Sequence, residues 1–354
     1  MAKFAISKSL NILFATALFC FGAGMTNAKG FVETDITHVA YPDWFHDSSF
    51  LDLSEEISTS ASTGKKGLML LFTTEGCSYC TAFIEQSLRD KEIVSSVKAN
   101  FISIGMEIFN DTEMVDTKGI DIPIKAFAKR EGVQFSPTLL FFDNTGKRVL
   151  RLAGYKTPAQ FKPILAYLTG DHYQKQSLRD YLKVTNNNSA ITTTTKLQSD
   201  PLFEKPPYAL DRSHFAAEKP LIVLFEETAC SECNDFHTQV LASKKVRETL
   251  QHFDVVRLDA NDKKTPVLTP DGKRTTPSEW FAANQFAQLP ALLFFDEKGQ
   301  EILQTDALVM ENRMMNSMGL VLEKAYQKGW TYQRFARSKS MERMRKKQSQ
   351  ETAN

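Results

Sequence analysis

The chain has 354 residues, 42% of them apolar, with 43 Lys and Arg against 42 Asp and Glu, a net charge of +1. That length provides for two domains, each able to bury its own core. The composition is that of a globular protein, and the charge balance removes the electrostatic case for nucleic acid as a partner.

The N-terminus reads as a secretory signal over residues 1–28. Lys3 and Lys8 supply a positive segment, Ile12 to Met25 an apolar stretch too short to cross a bilayer comfortably, and Thr26-Asn27-Ala28 small residues for cleavage. The competing reading is an uncleaved anchor. Bulky Phe19 precedes Cys20 and argues against lipidation there. Removing the signal takes Cys20 away and leaves four cysteines, all in Cys-x-x-Cys pairs. A chain stapled for stability would spread its cysteines over distant loops, so these pairs point to chemistry.

In the first half, residues 29–183, a helix is expected around Phe50 to Ile57. Leu68 to Thr73 reads as a buried strand that runs into Cys77-Ser78-Tyr79-Cys80. Phe83, Ile84 and Leu88 then recur at helical spacing. Phe101 to Met106 is a second strand, Ile124 to Arg130 a helix ended by Gly132. Thr138 to Phe142 and Arg148 to Leu152 flank the turn signal Asn144-Thr145-Gly146. Thr157-Pro158-Ala159-Gln160 opens a helix that runs to about Leu168.

Residues 184–206, rich in Asn, Ser and Thr, read as a flexible linker that leaves the distance between the halves unfixed. The second half, 207–330, repeats the order. Strand Leu221 to Glu226 leads to Cys230-Ser231-Glu232-Cys233, whose helix passes Phe236, Val240 and Leu241 and extends toward Leu250. Val255 to Asp259 is a strand, and Thr276-Pro277-Ser278-Glu279 a capping box. Ala291 to Phe295 and Glu301 to Leu303 form a hairpin, and Asn312 to Gln327 a last helix. Cys77 and Cys230, Pro137 and Pro290, and Gly146 and Gly299 each lie 153 residues apart (230 minus 77), the register of a tandem duplication. Residues 331–354 form a basic tail. It reads either as a solvated helix end or as a peripheral contact with an anionic membrane or acidic partner.

A strand that ends at Cys-x-x-Cys, with a helix starting at the first cysteine, activates a thiol. The unpaired N–H groups of the helix tip favour a thiolate, lowering its pKa from about 8.5 to roughly 3.5–7.5. The first cysteine attacks a substrate disulfide and the second resolves the mixed disulfide. The prolines that open the later strands complete the site: a cis bond there would turn the preceding backbone toward the cysteines, where an extended substrate could pair by strand addition. A trans proline opening an edge strand is the alternative. Cys-x-x-Cys pairs also bind zinc or copper, and His237 lies four residues after Cys233 on one helical face, so a thiol-based metal-handling protein stays open. So does a peptide-binding or chaperone module with one inactive redox site. Thr81 and Asn234 follow the motifs where haem attachment would need histidine.

Both halves resemble thioredoxin-fold domains, α/β units with a central mixed sheet flanked by helices. More narrowly they resemble the secreted, SoxW-like thioredoxins and the periplasmic thiol–disulfide oxidoreductases. The resemblance rests on Gly76-Cys77-Ser78-Tyr79-Cys80, on Ser136-Pro137-Thr138-Leu139-Leu140-Phe141-Phe142-Asp143, and on Arg151-Leu152-Ala153-Gly154-Tyr155. In the second half Ala229, Glu232 and Leu289 depart from the pattern. The resemblance implies Cys77 and Cys230 as nucleophiles, Cys80 and Cys233 as resolving thiols, and cis bonds before Pro137 and Pro290. Tyr79, Ser136, Pro137, Leu289 and Pro290 are then the substrate-binding positions. The activity implied is reduction or isomerisation of disulfides in exported periplasmic proteins. It needs no metal or organic cofactor and is recharged by a membrane thiol-reductant transporter.

Two positions depart from the wider family. Gly76 and Ala229 stand where a tryptophan is usual, and Leu71 and Leu224 where a buried aspartate is usual. Glu75 and Glu226 are the substitutes at hand, each otherwise a surface or strand-edge charge. Ser78-Tyr79 and Ser136 resemble the isomerases. Glu232, a like charge beside Cys233, opposes a thiolate and is expected to make the second centre the less oxidising one.

Overall fold

Each apolar run that leads to a cysteine pair is the centre of a sheet. In the computed structural model, which describes residues 39–46, 50–186, 199–228, 230–307 and 309–351, all seven residues of strand Gly67–Thr73 are buried. The signal segment and residues 187–198 of the linker lie outside the described residues. Both faces of the strand are covered, which is why it reads as a continuous apolar run and not as an alternation. It pairs in parallel with Phe101–Glu107 and antiparallel with Thr138–Asp143, and Arg148–Ala153 closes the far edge.

The second half builds the same order from Leu221–Glu226 at the centre, Asp254–Asp259 in parallel, then Ala291–Phe295 and Glu301–Thr305 antiparallel. Each half is therefore an α/β domain with a four-stranded mixed sheet flanked by helices. In the first, Leu68, Leu70 and Phe72 pack one face against Phe127 and Phe142. In the second, Ile222 and Leu224 face Phe236, Val240 and Met318, while Val223 and Phe225 face Trp280, Phe281 and Phe286.

Local chemistry sets the helix starts. Thr157 and Thr276 both form capping boxes, with Gln160 and Glu279 as the reciprocal partners. Asp52 accepts from the N–H groups of Ser54 and Glu55 and starts helix Leu53–Ser62, a few residues later than the hydrophobic pattern suggests. Each cysteine helix is short, Ser78–Ala82 or Ser231–Phe236, and passes into a π turn, Phe83–Ser87 or His237–Leu241. The continuous second-half helix expected to Leu250 is instead broken, and a new helix, Lys244–Leu250, begins after Ser243. Two small hairpins, Glu113–Val115 with Asp121–Pro123 and Val267–Leu268 with Arg274–Thr275, have no counterpart in the sequence reading.

The linker does not leave the halves independent. Phe135 of the first half is 2% exposed and belongs to the core of the second, against Tyr332 at 4.3 Å between ring centroids. Helix Tyr332–Glu351, read from sequence as a basic tail, starts with Tyr332, Gln333 and Phe335 buried at this junction. The hydrophobic anchors of its first turn decide its placement, and its later residues carry the charge.

Gly67 shows how tightly the central strand is held. Its φ is +146°, and a Cβ there would lie 1.8 Å from the Phe142 carbonyl oxygen, a backbone atom that cannot step aside. Gly67→Ala is expected to lower unfolding stability by roughly 2–4 kcal/mol, read from denaturant midpoints. A change below about 0.5 kcal/mol would show that the sheet relaxes freely at this point.

Candidate active site

Cys77 and Cys230 are helix N-caps with extended backbone, φ −86° and −102°. Each sulfur accepts the N–H of the resolving cysteine, at 3.1 Å from Cys80 and 3.0 Å from Cys233. The strand delivers the cysteine to the helix tip, and the tip's N–H groups point at its sulfur, the arrangement that favours a thiolate. Both pairs are disulfides here. Cys80 is fully buried and Cys233 4% exposed, while Cys77 and Cys230 each keep 9%. The first cysteine of each pair is the more exposed one.

The Ser136–Pro137 and Leu289–Pro290 bonds are both cis, as the resemblance implies. Ser136 Oγ lies 3.4 Å from Cys77 Sγ as a donor, so the segment before the proline touches the first cysteine. Ser136 and Pro137 are buried, whereas Leu289 and Pro290 are half-buried. Tyr79 is 6% exposed.

What covers the first site comes from the second domain, and no sequence signal reveals it. Arg313, on helix Glu311–Leu322, is 4% exposed. Its guanidinium donates to the Ser136 carbonyl at 3.0 Å and lies over the Tyr79 ring at 3.9 Å. Gln333 donates to the Gln134 carbonyl, and the Gln134 side chain accepts the Gln304 N–H at 3.0 Å. The backbone ahead of the cis proline, where strand addition is expected from the sequence, is thus occupied from within the chain.

The second site has a different polar setting. Glu226, at the end of the central strand, is 2% exposed and accepts His237 Nε2 at 2.8 Å, with Arg257 at 3.9 Å from its other oxygen. Neither residue is the surface charge or helix-surface histidine that the sequence suggests, because Phe203 packs on the His237 ring and closes the pair off. Glu75, its counterpart candidate in the first half, is exposed. Among the described residues no group of three or more His, Cys, Asp or Glu is placed to hold a metal ion.

Lys156 joins the two sites electrostatically. It is 6% exposed, in the loop between strand Arg148–Ala153 and helix Pro158–Thr169. Burial pulls its pKa down to about 8, partly offset by attraction to Asp306 and Glu232 of the second domain, and Arg313 lowers it further. Asp306 also lies 3.7 Å from Arg151 and accepts the Ala287 N–H just ahead of Leu289-Pro290. The glutamate inside the second Cys-x-x-Cys therefore faces a cation from the first domain.

The profile of a thioredoxin-like domain family matches residues 53–169 and again 213–318, more than half of the chain. The chain belongs to this family, with two copies of the domain. Among solved structures it is similar to a thioredoxin-fold protein from Helicobacter pylori, at 26% identity over 42% of this chain and 94% of that one, TM-score 0.35. It is similar to a thioredoxin from Thermus thermophilus, at 24% identity over 34% of this chain and 85% of that one, TM-score 0.27. A disulphide isomerase from Xylella fastidiosa is 14% identical over 42% of this chain and 98% of that one, TM-score 0.25. No curated protein sequence matches significantly.

The buried lysine makes a pH prediction. Its folded pKa of about 8 lies below the ordinary 10.5, so between these values the unfolded chain binds the proton and the folded chain does not. Stability from this group therefore rises with pH through that window. Lys156→Met is expected to be more stable than the parent at pH 7, with the gap closing toward pH 10, by urea midpoints at three pH values. A gap that does not change with pH would show that the buried amine carries no charge penalty.

Proposed function

We propose that the protein is a secreted, periplasmic thiol–disulfide oxidoreductase that reduces or isomerises disulfides of exported proteins. The observation that carries this reading is the placement of Cys77 and Cys230 as N-caps at strand–helix junctions, each sulfur accepting the N–H of its resolving cysteine. In the reductive direction Cys77 thiolate attacks one sulfur of the substrate disulfide. The other sulfur leaves as a thiolate and takes a proton from water. Cys80 then attacks Cys77 Sγ, releases the second substrate thiol and leaves the Cys77–Cys80 disulfide. Two electrons pass from the dithiol to the substrate.

Ser78-Tyr79 and Ser136 support the isomerase and reductase leaning and the SoxW-like assignment. Lys3, Lys8 and the apolar stretch after them support export. In an oxidising compartment the dithiols are recharged by a membrane thiol-reductant transporter. The second centre acts by the same exchange through Cys230 and Cys233.

Cells quenched in acid and labelled with a thiol mass tag test this. The pairs are expected to be mainly reduced, and Cys233→Ser to accumulate mixed disulfides with exported proteins that Cys230→Ser does not. Both pairs fully oxidised, with no trapped partners, would sink the reductase and isomerase reading.

A further inference from the structure

The first dithiol opens on a cleft built by both domains. Cys77, Tyr79 and Ser136 line one wall, and Arg313, Arg337 and Arg343 line the other, around about 160 Å³. The second wall belongs to helices Glu311–Leu322 and Tyr332–Glu351 of the second domain. One acid, Glu75, faces the three arginines across the cleft. Arg313 is buried and fixed by the Ser136 carbonyl and the Tyr79 ring, Arg343 is half-buried, and Arg337 is exposed at the mouth.

Two features decide what can enter. The Ser136 and Gln134 carbonyls already accept hydrogen bonds from Arg313 and Gln333, so an incoming strand finds that edge taken. The remaining approach to Cys77 is through a positive cleft, and such a field concentrates anions and raises their encounter rate. We propose that the first site takes low-molecular-weight disulfides that bear carboxylates, and that Arg337 and Arg343 select them. The second site, with Leu289 and Pro290 half-buried, keeps the work on extended protein segments. The inference rests on the oxidoreductase reading and gives its first centre a substrate class. The exchange is the one written above: Cys77 bonds to one substrate sulfur, the other leaves as a thiolate, Cys80 closes the ring, and two electrons leave the dithiol.

The test uses the full chain with Cys230→Ser and Cys233→Ser, reduced and freed of reductant, so that the first site alone reports. Its single-turnover oxidation is followed by quenching and thiol labelling with glutathione disulfide, with the amine-bearing disulfide cystamine, and with a neutral extended peptide disulfide. Each rate is divided by that of the same disulfide with 2-mercaptoethanol. Glutathione disulfide is expected to be favoured over both others by about tenfold, within the range of electrostatic steering. The Arg337→Glu, Arg343→Glu variant, with changes outside the core, is expected to bring the ratio to within about twofold of one, and 0.5 M salt to shrink it in the parent. Equal rates for the three disulfides, a preference that survives charge reversal, or a peptide disulfide that reacts fastest overturns the proposal alone. If no disulfide oxidises the protein faster than it oxidises 2-mercaptoethanol, the oxidoreductase reading falls with it.

Discussion

The segment Gln134–Phe135–Ser136 cannot stand free. It carries a large apolar ring and three backbone carbonyls; the Thr138 hydroxyl of its own sheet meets that of Phe135, while those of Gln134 and Ser136 look to the second domain. Phe135 fills a place in the second domain's core, where burying such a ring is worth about 1.5–3 kcal/mol. Arg313 and Gln333 meet the carbonyls, each of which would cost about 1–3 kcal/mol if buried without a partner. The cis proline that shapes the first redox site is therefore held by the second domain, and the geometry at Cys77 depends on the two domains staying packed.

Within that frame the two dithiols share a backbone and differ in charge. Both N-cap sulfurs receive an N–H at a helix tip, so the backbone field that favours a thiolate is the same in both. Around the first site stand Arg313 and the Ser136 hydroxyl. Around the second stand Glu232, the buried Glu226–His237 pair and, from across the domain boundary, Lys156. A like charge at Glu232 disfavours a thiolate at Cys233, and the ammonium of Lys156 works against that effect. Glu232 is therefore not the one charge that acts on the second centre: Lys156, remote in sequence, stands against it.

Most of the fold was legible because its signals are local. Buried central strands appear as apolar runs at 68–73 and 221–226, the capping boxes at Thr157 and Thr276 mark two helix starts, and the register of cysteines and prolines exposes the duplication. What the sequence hid is either weakly patterned or non-local. The two short hairpins have strands of two or three residues, too brief for a period to show. The break after His237–Leu241 follows from a π turn, which hydrophobic spacing does not distinguish from α-helix. Glu226 looked like a strand-edge charge because its partner, His237, and the cover, Phe203, come from other elements. Arg313 sits in a helix with buried Met314, Met318 and Leu320, and its neighbours from the far half, Tyr79 and Ser136, reveal its place.

The duplication makes these differences interpretable. With the offset of 153 residues, Phe135 corresponds to Gln288, Ser136 to Leu289, Lys156 to Val309 and Arg313 to Gln160. Each residue that ties the halves together stands opposite a residue of different chemistry in the other copy. Glu226 and His237 likewise stand opposite Thr73 and Ile84. The scaffold positions, by contrast, keep their type: cysteines, prolines, the apolar central strands and the turn glycines Gly146 and Gly299. The copies thus retain what forms a thiol site and diverge in what surrounds it. That pattern fits one chain in which the second domain keeps its own cysteine pair and also forms the wall of the first.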